Sequence, residues 1–131
     1  LLAQAEEFHP SAIVITDEEA GRKFKDLYHG AAEVIIGGQG LTEAAVREDV
    51  DLVLVAVVGI AGLAPTLAAI GAEKELALAN KETLVAGGSL VLEEAGKHHV
   101  LIRPVDSEHS AIFQCMLGQD KKHIHKLLLT M

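Results

Sequence analysis

Tryptophan is absent from this 131-residue chain, and aromatic residues make up only 3% of it. The core therefore has to be built from Ala, Val, Ile and Leu, which an apolar content of 50% allows. A chain of this size can bury about two-thirds of the surface it exposes when unfolded. Cys115 is the single cysteine. That excludes a disulfide framework and a cysteine-based zinc knuckle, and points to a reducing compartment. Cations are also scarce: 11 Lys+Arg stand against 19 Asp+Glu, for a net charge of -8. Nucleic acid and anionic membrane surfaces both demand clustered Lys/Arg, so neither is expected as a main partner. A small site for an anionic ligand stays compatible, because one lysine and a helix N-terminus can oppose the global charge locally.

Long apolar runs are missing too. The longest covers residues 52–64, too short and too glycine-rich for a membrane span of about 20 residues. There is no basic leader with a small-residue cleavage site and no Arg/Ser-rich transit pattern. Charged residues, at 23%, are near the globular norm and argue against disorder. The expectation is a soluble, intracellular, truncated chain, since it starts at Leu1 and stops within a strand-like run, 127–131.

What is present is alternation. β-branched or apolar runs predict strands at 12–16, 34–36, 52–58, 75–79, 100–102 and 123–130. Between them lie helices at 17–29, about 41–48, one with Pro65 in its first turn that ends near Gly71, 81 to about 98, and 108 to about 117. Asp17, Glu18 and Glu19 open the first of these helices where its dipole favours negative charge. Thr42 is a candidate cap for the second. Pro65 suits a first turn and Gly71 a C-terminal stop. The 52–58 run is continuous enough to be buried on both faces. In 81–98, Leu84, Val85, Val91, Leu92 and Ala95 share a helical face. The pattern predicts an α/β, Rossmann-like doubly wound, mainly parallel sheet. In such sheets ligands bind beyond the carboxyl ends of the strands, which directs attention to the segments after Val58, Ala79 and Pro104.

Two strand-to-helix joins carry chemistry. In Asn80-Lys81-Glu82-Thr83, Asn80 is a good N-cap and Lys81 opens the helix. A cation there opposes the dipole unless an anion is to be held; otherwise the stretch is a capped surface helix with a solvated Lys-Glu pair. In Asp106-Ser107-Glu108-His109, two carboxylates two residues apart leave a strand end. They suit a hard divalent cation, although an ordinary acidic cap has the same spacing, and two carboxylates alone do not complete a metal site. Ser107 could cap the helix or bind a polar ligand. Gly37-Gly38-Gln39-Gly40 lacks the spacing of a dinucleotide or phosphate loop and reads as a turn. Gly59-Ile60-Ala61-Gly62 allows close approach either of a cofactor or of a helix to the sheet. His98-His99 falls at a helix end, and His123 and His125 lack the company a zinc site needs. Cys115 reads as a helix residue packed on the core with Ile112 and Met116.

Taken in order, Val57 to Leu67, Ala77 to Val85 and Pro104 to Cys115 closely resemble 1-deoxy-D-xylulose 5-phosphate reductoisomerase, over essentially the whole chain. The early run Ile13 to Ala20 agrees. The resemblance implies an NADPH- and divalent-metal-dependent enzyme, using Mn²⁺ or Mg²⁺. It would convert a sugar phosphate, 1-deoxy-D-xylulose 5-phosphate, to 2-C-methyl-D-erythritol 4-phosphate in non-mevalonate isoprenoid synthesis. By resemblance Asn80 and Glu82 contact NADPH, while Lys81 contacts the substrate. Asp106 and Glu108 would be metal ligands, Ser107 and Glu108 would touch substrate, and Lys81 and Glu108 would be catalytic. Residues 1–103 would be the C-terminal portion of an NADPH-binding domain and 104–131 the beginning of a catalytic domain. Homodimerisation of the full-length protein, and a bacterial cytoplasmic or a plastid location, are implied in the same way. The family's Gly-rich pyrophosphate turn has no counterpart here and would lie upstream of Leu1. Its Ser-Gly-Gly-Pro-Phe loop, flexible loop, phosphate site and third acidic metal ligand would lie beyond Met131. The isolated chain is therefore expected to be inactive. Two other expectations compete: a non-catalytic α/β domain or decayed paralogue, and a different Rossmann-type oxidoreductase.

Overall fold

A computed structural model describes residues 1–128. The chain divides into two compact units, Leu1–Val50 and Asp51–Met131. Helices alternate with parallel strands throughout, so the architecture is α/β with parallel sheets, as expected.

The first unit contains α1 (Leu2–Phe8), β1 (Ala12–Ile15), α2 (Glu18–Leu27), β2 (Glu33–Ile36) and α3 (Gly40–Ala45). β1 and β2 pair in parallel, Ala12 opposite Glu33 and Ile15 opposite Ile36. Asp17 caps α2, its carboxylate accepting from the Ala20 N–H at 2.7 Å. Glu18 and Glu19 fill the first turn and pair with Arg22 and Lys23 one turn on. Ala5, Ile13 and Phe24 form the core, with Leu2, Ile15, Tyr28, Ala32 and Val34 packed against it. Two of the chain's few aromatic rings, Phe24 and Tyr28, stack there at 5.2 Å. Thr42 is not a cap: α3 begins earlier, after Gln39, with no side-chain cap bond.

The second unit contains β3 (Leu52–Val55), a 3-10 turn (Gly59–Gly62), α4 (Leu63–Gly71), β4 (Glu75–Leu78), α5 (Lys81–Lys97), β5 (Ile102–Pro104) and α6 (Ser107–Met116). Its parallel sheet runs β3-β4-β5. Ile70, Leu76 and Val91 are fully buried at its centre, beside the buried hydroxyls of Thr66 and Thr83. The register aligns Val55 with Leu78 and Leu78 with Pro104, so the three strands end together.

Several expectations change here. β3 stops at Val55, and its even-numbered face is open, with Leu54 57% exposed, so it is not buried on both sides. In α5, Val85 and Leu92 are exposed; the buried line is Thr83, Val91 and Ala95. Gly87 has non-helical angles (φ -135°, ψ 22°), and this kink breaks the phase that an unbroken helix would keep. α4 ends at Gly71, as expected, but Gly71 is not the left-handed residue that closes it. Glu73 takes the left-handed conformation (φ 56°), with Lys74 N–H donating to Ala69 O at 2.9 Å. α5 ends likewise on His99 (φ 56°), with Val100 N–H donating to Ala95 O at 2.9 Å. Both are Schellman closures made without glycine. The second takes up Val100, and β5 runs over 102–104 rather than 100–102. Cys115 is exposed rather than packed on a core. Of the strand predicted at 123–130, His123 ends a short 3-10 turn (Lys121–His123) and 124–128 have no regular structure; residues 129–130 lie outside the described residues. Among the described residues no helix is long and apolar enough to cross a membrane.

Candidate functional site

The two chemistry-bearing joins of the second unit are built the same way. Each strand ends at its last pair, and the second residue beyond it caps a helix: Asn80 after Leu78, Asp106 after Pro104. Each cap accepts from the N–H three residues on, Asn80 Oδ1 from Thr83 at 2.8 Å and Asp106 Oδ1 from His109 at 3.0 Å. That leaves Lys81 and Glu82, and Ser107 and Glu108, as the first two residues of their helices. Their side chains and free backbone N–H groups stand at the strand ends. Because Leu78 and Pro104 are register partners, Asn80 and Asp106 each stand two residues beyond the paired ends of neighbouring strands.

Lys81 is exposed, and among the described residues its ammonium is in no ion pair. With Asp106, His109 and the apolar side chains of Leu78, Leu84 and Phe113 it lines an open cavity of about 270 Å³. Glu108 and Ser107 line a neighbouring cavity of about 410 Å³ along α6. The two are electrostatically joined. The Glu108 carboxyl is held below its ordinary range by its own backbone N–H, then by the Ser107 hydroxyl and, after a small opposing effect of burial, by the Lys81 ammonium; Asp106 pushes the other way. At Asp106 burial raises the pKa, but the His109 N–H and ring outweigh it, so the carboxyl lies below the usual range. The His109 Nδ1 sits 2.7 Å from Asp106 Oδ1, the oxygen that also takes the cap bond, which leaves the other oxygen clear of these bonds. Glu82 is exposed in the first turn of α5.

Asn80 differs from its neighbours because its side chain is buried, at 3% exposure. Its amide nitrogen donates to the carbonyls of Val57 and, at 2.8 Å, Gly59. Its oxygen also accepts from the Thr83 hydroxyl at 3.2 Å. The segment it grips is the Gly59–Gly62 turn, where Gly59 has φ 68°. A Cβ on Gly62 would lie 2.9 Å from Asn80 Nδ2 and 3.0 Å from Thr83 Oγ1. Gly62 is therefore a packing requirement, and its carbonyl accepts from Thr66 Oγ1 at 2.6 Å. Val58 and Ile60 project from this turn, 89% and 68% exposed.

Lys81 and Asp106 thus share one cavity and Ser107 and Glu108 line the other, with Glu108 within the electrostatic reach of Lys81 and Asp106; Glu82 lines neither. Among the described residues no three His, Cys, Asp or Glu side chains are grouped to hold a metal ion. Thr83 and His109 were not foreseen as contributors, whereas close packing at Gly62 was one of the two readings its motif allowed. For Thr83 and His109 the signal was available, since each stands three residues after a capping residue, where a polar side chain reaches back to the cap.

The family model described as 1-deoxy-D-xylulose 5-phosphate reductoisomerase matches residues 1–88. The chain belongs to that family. The model of the family's C-terminal domain matches residues 102–131. A reductoisomerase of Geobacillus kaustophilus (strain HTA426) is 50% identical over 124 residues, covering 95% of this chain and 32% of its own length. One from Thermoanaerobacter pseudethanolicus (strain ATCC 33223 / 39E) is 45% identical over 130 residues, covering 99% of this chain and 34% of its own length. This chain therefore spans about a third of the curated relatives it matches. Among solved structures, the Zymomonas mobilis enzyme in complex with NADPH superposes with a TM-score of 0.81 at 40% identity, over 87% of this chain and 30% of that one. A reductoisomerase in complex with NADPH, fosmidomycin and magnesium gives 0.79 at 47% identity, over 87% and 28%.

Proposed function

We propose that this chain is one segment of an enzyme that converts 1-deoxy-D-xylulose 5-phosphate to 2-C-methyl-D-erythritol 4-phosphate, using NADPH and Mn²⁺ or Mg²⁺. Family membership supports the reaction. The observation that carries the site is the register of β4 on β5, which ends both strands two residues before Asn80 and Asp106, with Lys81 lining one cavity with Asp106 and lying within the field of Glu108.

In this reading Asp106 and Glu108 are metal ligands. Their chemistry fits a hard divalent cation, which takes one or two carboxylates together with water and ligand oxygens. Asp106 keeps one oxygen clear of the His109 bonds, and both carboxyls lie below their ordinary range, so protons compete for them only in acid. Two carboxylates leave the site incomplete, so a further acidic ligand comes from outside these residues. Lys81 binds the anionic sugar phosphate, and Ser107 and Glu108 touch it beside the reacting atoms. Glu82 and Asn80 serve NADPH. When bound, the metal polarises the carbonyl and stabilises the developing oxyanion, and NADPH supplies the hydride. The protein's part is alignment: an ammonium and two carboxylates on adjacent strand ends fix the substrate relative to the cofactor.

Residues 1–103 are then the later portion of the NADPH-binding domain and 104–131 the beginning of the catalytic domain. The whole enzyme works as a homodimer in a bacterial cytoplasm or a plastid. The test is a graft in which these 131 residues replace the matching third of the Geobacillus kaustophilus relative. The graft should turn over 1-deoxy-D-xylulose 5-phosphate with NADPH. Glu108→Gln should abolish that turnover and weaken Mn²⁺ binding by calorimetry. Unchanged turnover in Glu108→Gln would remove its metal role.

A further inference from the structure

We infer that Asn80 is a positioning residue whose buried carboxamide latches the Gly59–Gly62 turn to the first turn of α5, and that it serves NADPH through the shape of that turn rather than by side-chain contact. The inference rests on the reading above that the strand ends of this sheet receive the cofactor.

The latch follows from the polarity of one amide. Asn80 Oδ1 faces two donors, the N–H and the hydroxyl of Thr83, while Nδ2 faces two acceptors, the carbonyls of Val57 and Gly59. Only a carboxamide offers an acceptor and two donors from one planar group at this reach. No donor remains for a ligand, and at 3% exposure little of the side chain is within a ligand's reach. Every buried side-chain polar atom among the described residues has a partner, so the cluster is closed.

The turn it holds is where shape matters. Backbone N–H groups of Asn80 and Ala79 both donate to Val55 O, at 3.1 and 3.0 Å, so strand β3 is tied to the same residue from below. Gly62 comes so close that a Cβ there would lie 2.9 Å from Asn80 Nδ2 and displace the amide, and Thr66 anchors its carbonyl from α4. The result is a rigid turn with Val58 and Ile60 pointing outward at the carboxyl end of β3, the region where ligands of parallel α/β sheets bind. On the other side of Asn80 stands Lys81, so one amide sets the spacing between the cofactor turn and the substrate ammonium.

Asn80→Asp is the sharpest probe, since it keeps the acceptor for Thr83 and sets an oxygen against two carbonyls. In the full chain, hydrogen exchange at the amides of residues 59–63 should speed up at least about tenfold, with exchange in β1 and α2 unchanged. In the graft, NADPH affinity by fluorescence titration should fall about tenfold and KM for NADPH rise in step, with KM for the sugar phosphate within about twofold. Gly62→Ala, which intrudes on the amide from the turn, should produce the same split. The double variant should be no worse than the poorer single one, because both break one latch. Loss of NADPH affinity in Asn80→Asp without faster exchange at 59–63 would mean direct contact and overturn the inference, as would faster exchange with unchanged affinity. If the unsubstituted graft binds no NADPH while exchange at 59–63 still responds to Asn80→Asp, the functional reading itself fails and the cofactor role of the latch falls with it.

Discussion

Lys81 occupies the position where an α-helix is least hospitable to a cation: the first residue of α5, beside unpaired backbone N–H groups. Its ammonium lowers the pKa of Glu108 across the strand boundary without pairing to it within contact distance. An anion arriving here meets an ammonium and helix N–H donors together, which is how a phosphorylated sugar is best held. In the graft, Lys81→Ala should raise KM for the sugar phosphate by about tenfold or more while NADPH affinity changes by less than about twofold. A defect confined to NADPH affinity would contradict the assignment. Asp106 takes a different part. One oxygen is committed to the His109 N–H and ring, so the histidine fixes the direction of the other.

Among the elements, the helix starts were the legible part. Asp17, Asn80 and Asp106 all cap as their residue types suggest, each accepting from the N–H three positions on. Helix ends fell close to where they were expected, α4 at Gly71 and α5 at Lys97, but the way they close was not legible, because Glu73 and His99 adopt the left-handed conformation usual for glycine; the Schellman bonds outweigh the local preference there. The kink at Gly87 was equally hidden, since a glycine in a helical pattern signals only a local cost, not a change of phase. Outside the site, the segment after α3 is held electrostatically. Arg47 donates to Asp49 at 2.9 Å and to Glu33 on β2 at 2.7 Å. The Arg47 guanidinium holds the Asp49 carboxyl below its ordinary range. Folding therefore favours the ionised form. The stability it adds is complete above the unfolded carboxyl's pKa and is lost as pH falls through the depressed folded value. Asp49→Asn should narrow the drop in Tm between about pH 7 and about pH 2; an unaltered drop would show that the pair adds no stability.

For the molecule as a whole, strand-helix alternation was enough to give the α/β class, parallel pairing and the edge on which to look for a site. It did not give the grouping of the five strands into two separate sheets, because a five-residue apolar run reads the same whichever neighbour it pairs with. The candidate site was legible for the same reason that it is local. Asn80 to Glu82 and Asp106 to Glu108 are each a short motif, and what unites them is a register, Leu78 on Pro104, that only coordinates reveal. The buried role of Asn80 stayed out of view, since a cap residue carries no sign of what its amide grips on the far side. The proposed function requires Lys81, Asp106 and Glu108 to act on one ligand. Its most direct test is anomalous diffraction at the manganese edge from crystals of the graft soaked with Mn²⁺ and the sugar phosphate. The peak should lie about 2.1 Å from oxygens of both Asp106 and Glu108, with the same sugar phosphate reaching the Lys81 ammonium. A peak away from these carboxylates, or a sugar phosphate bound with Lys81 directed elsewhere, would contradict it.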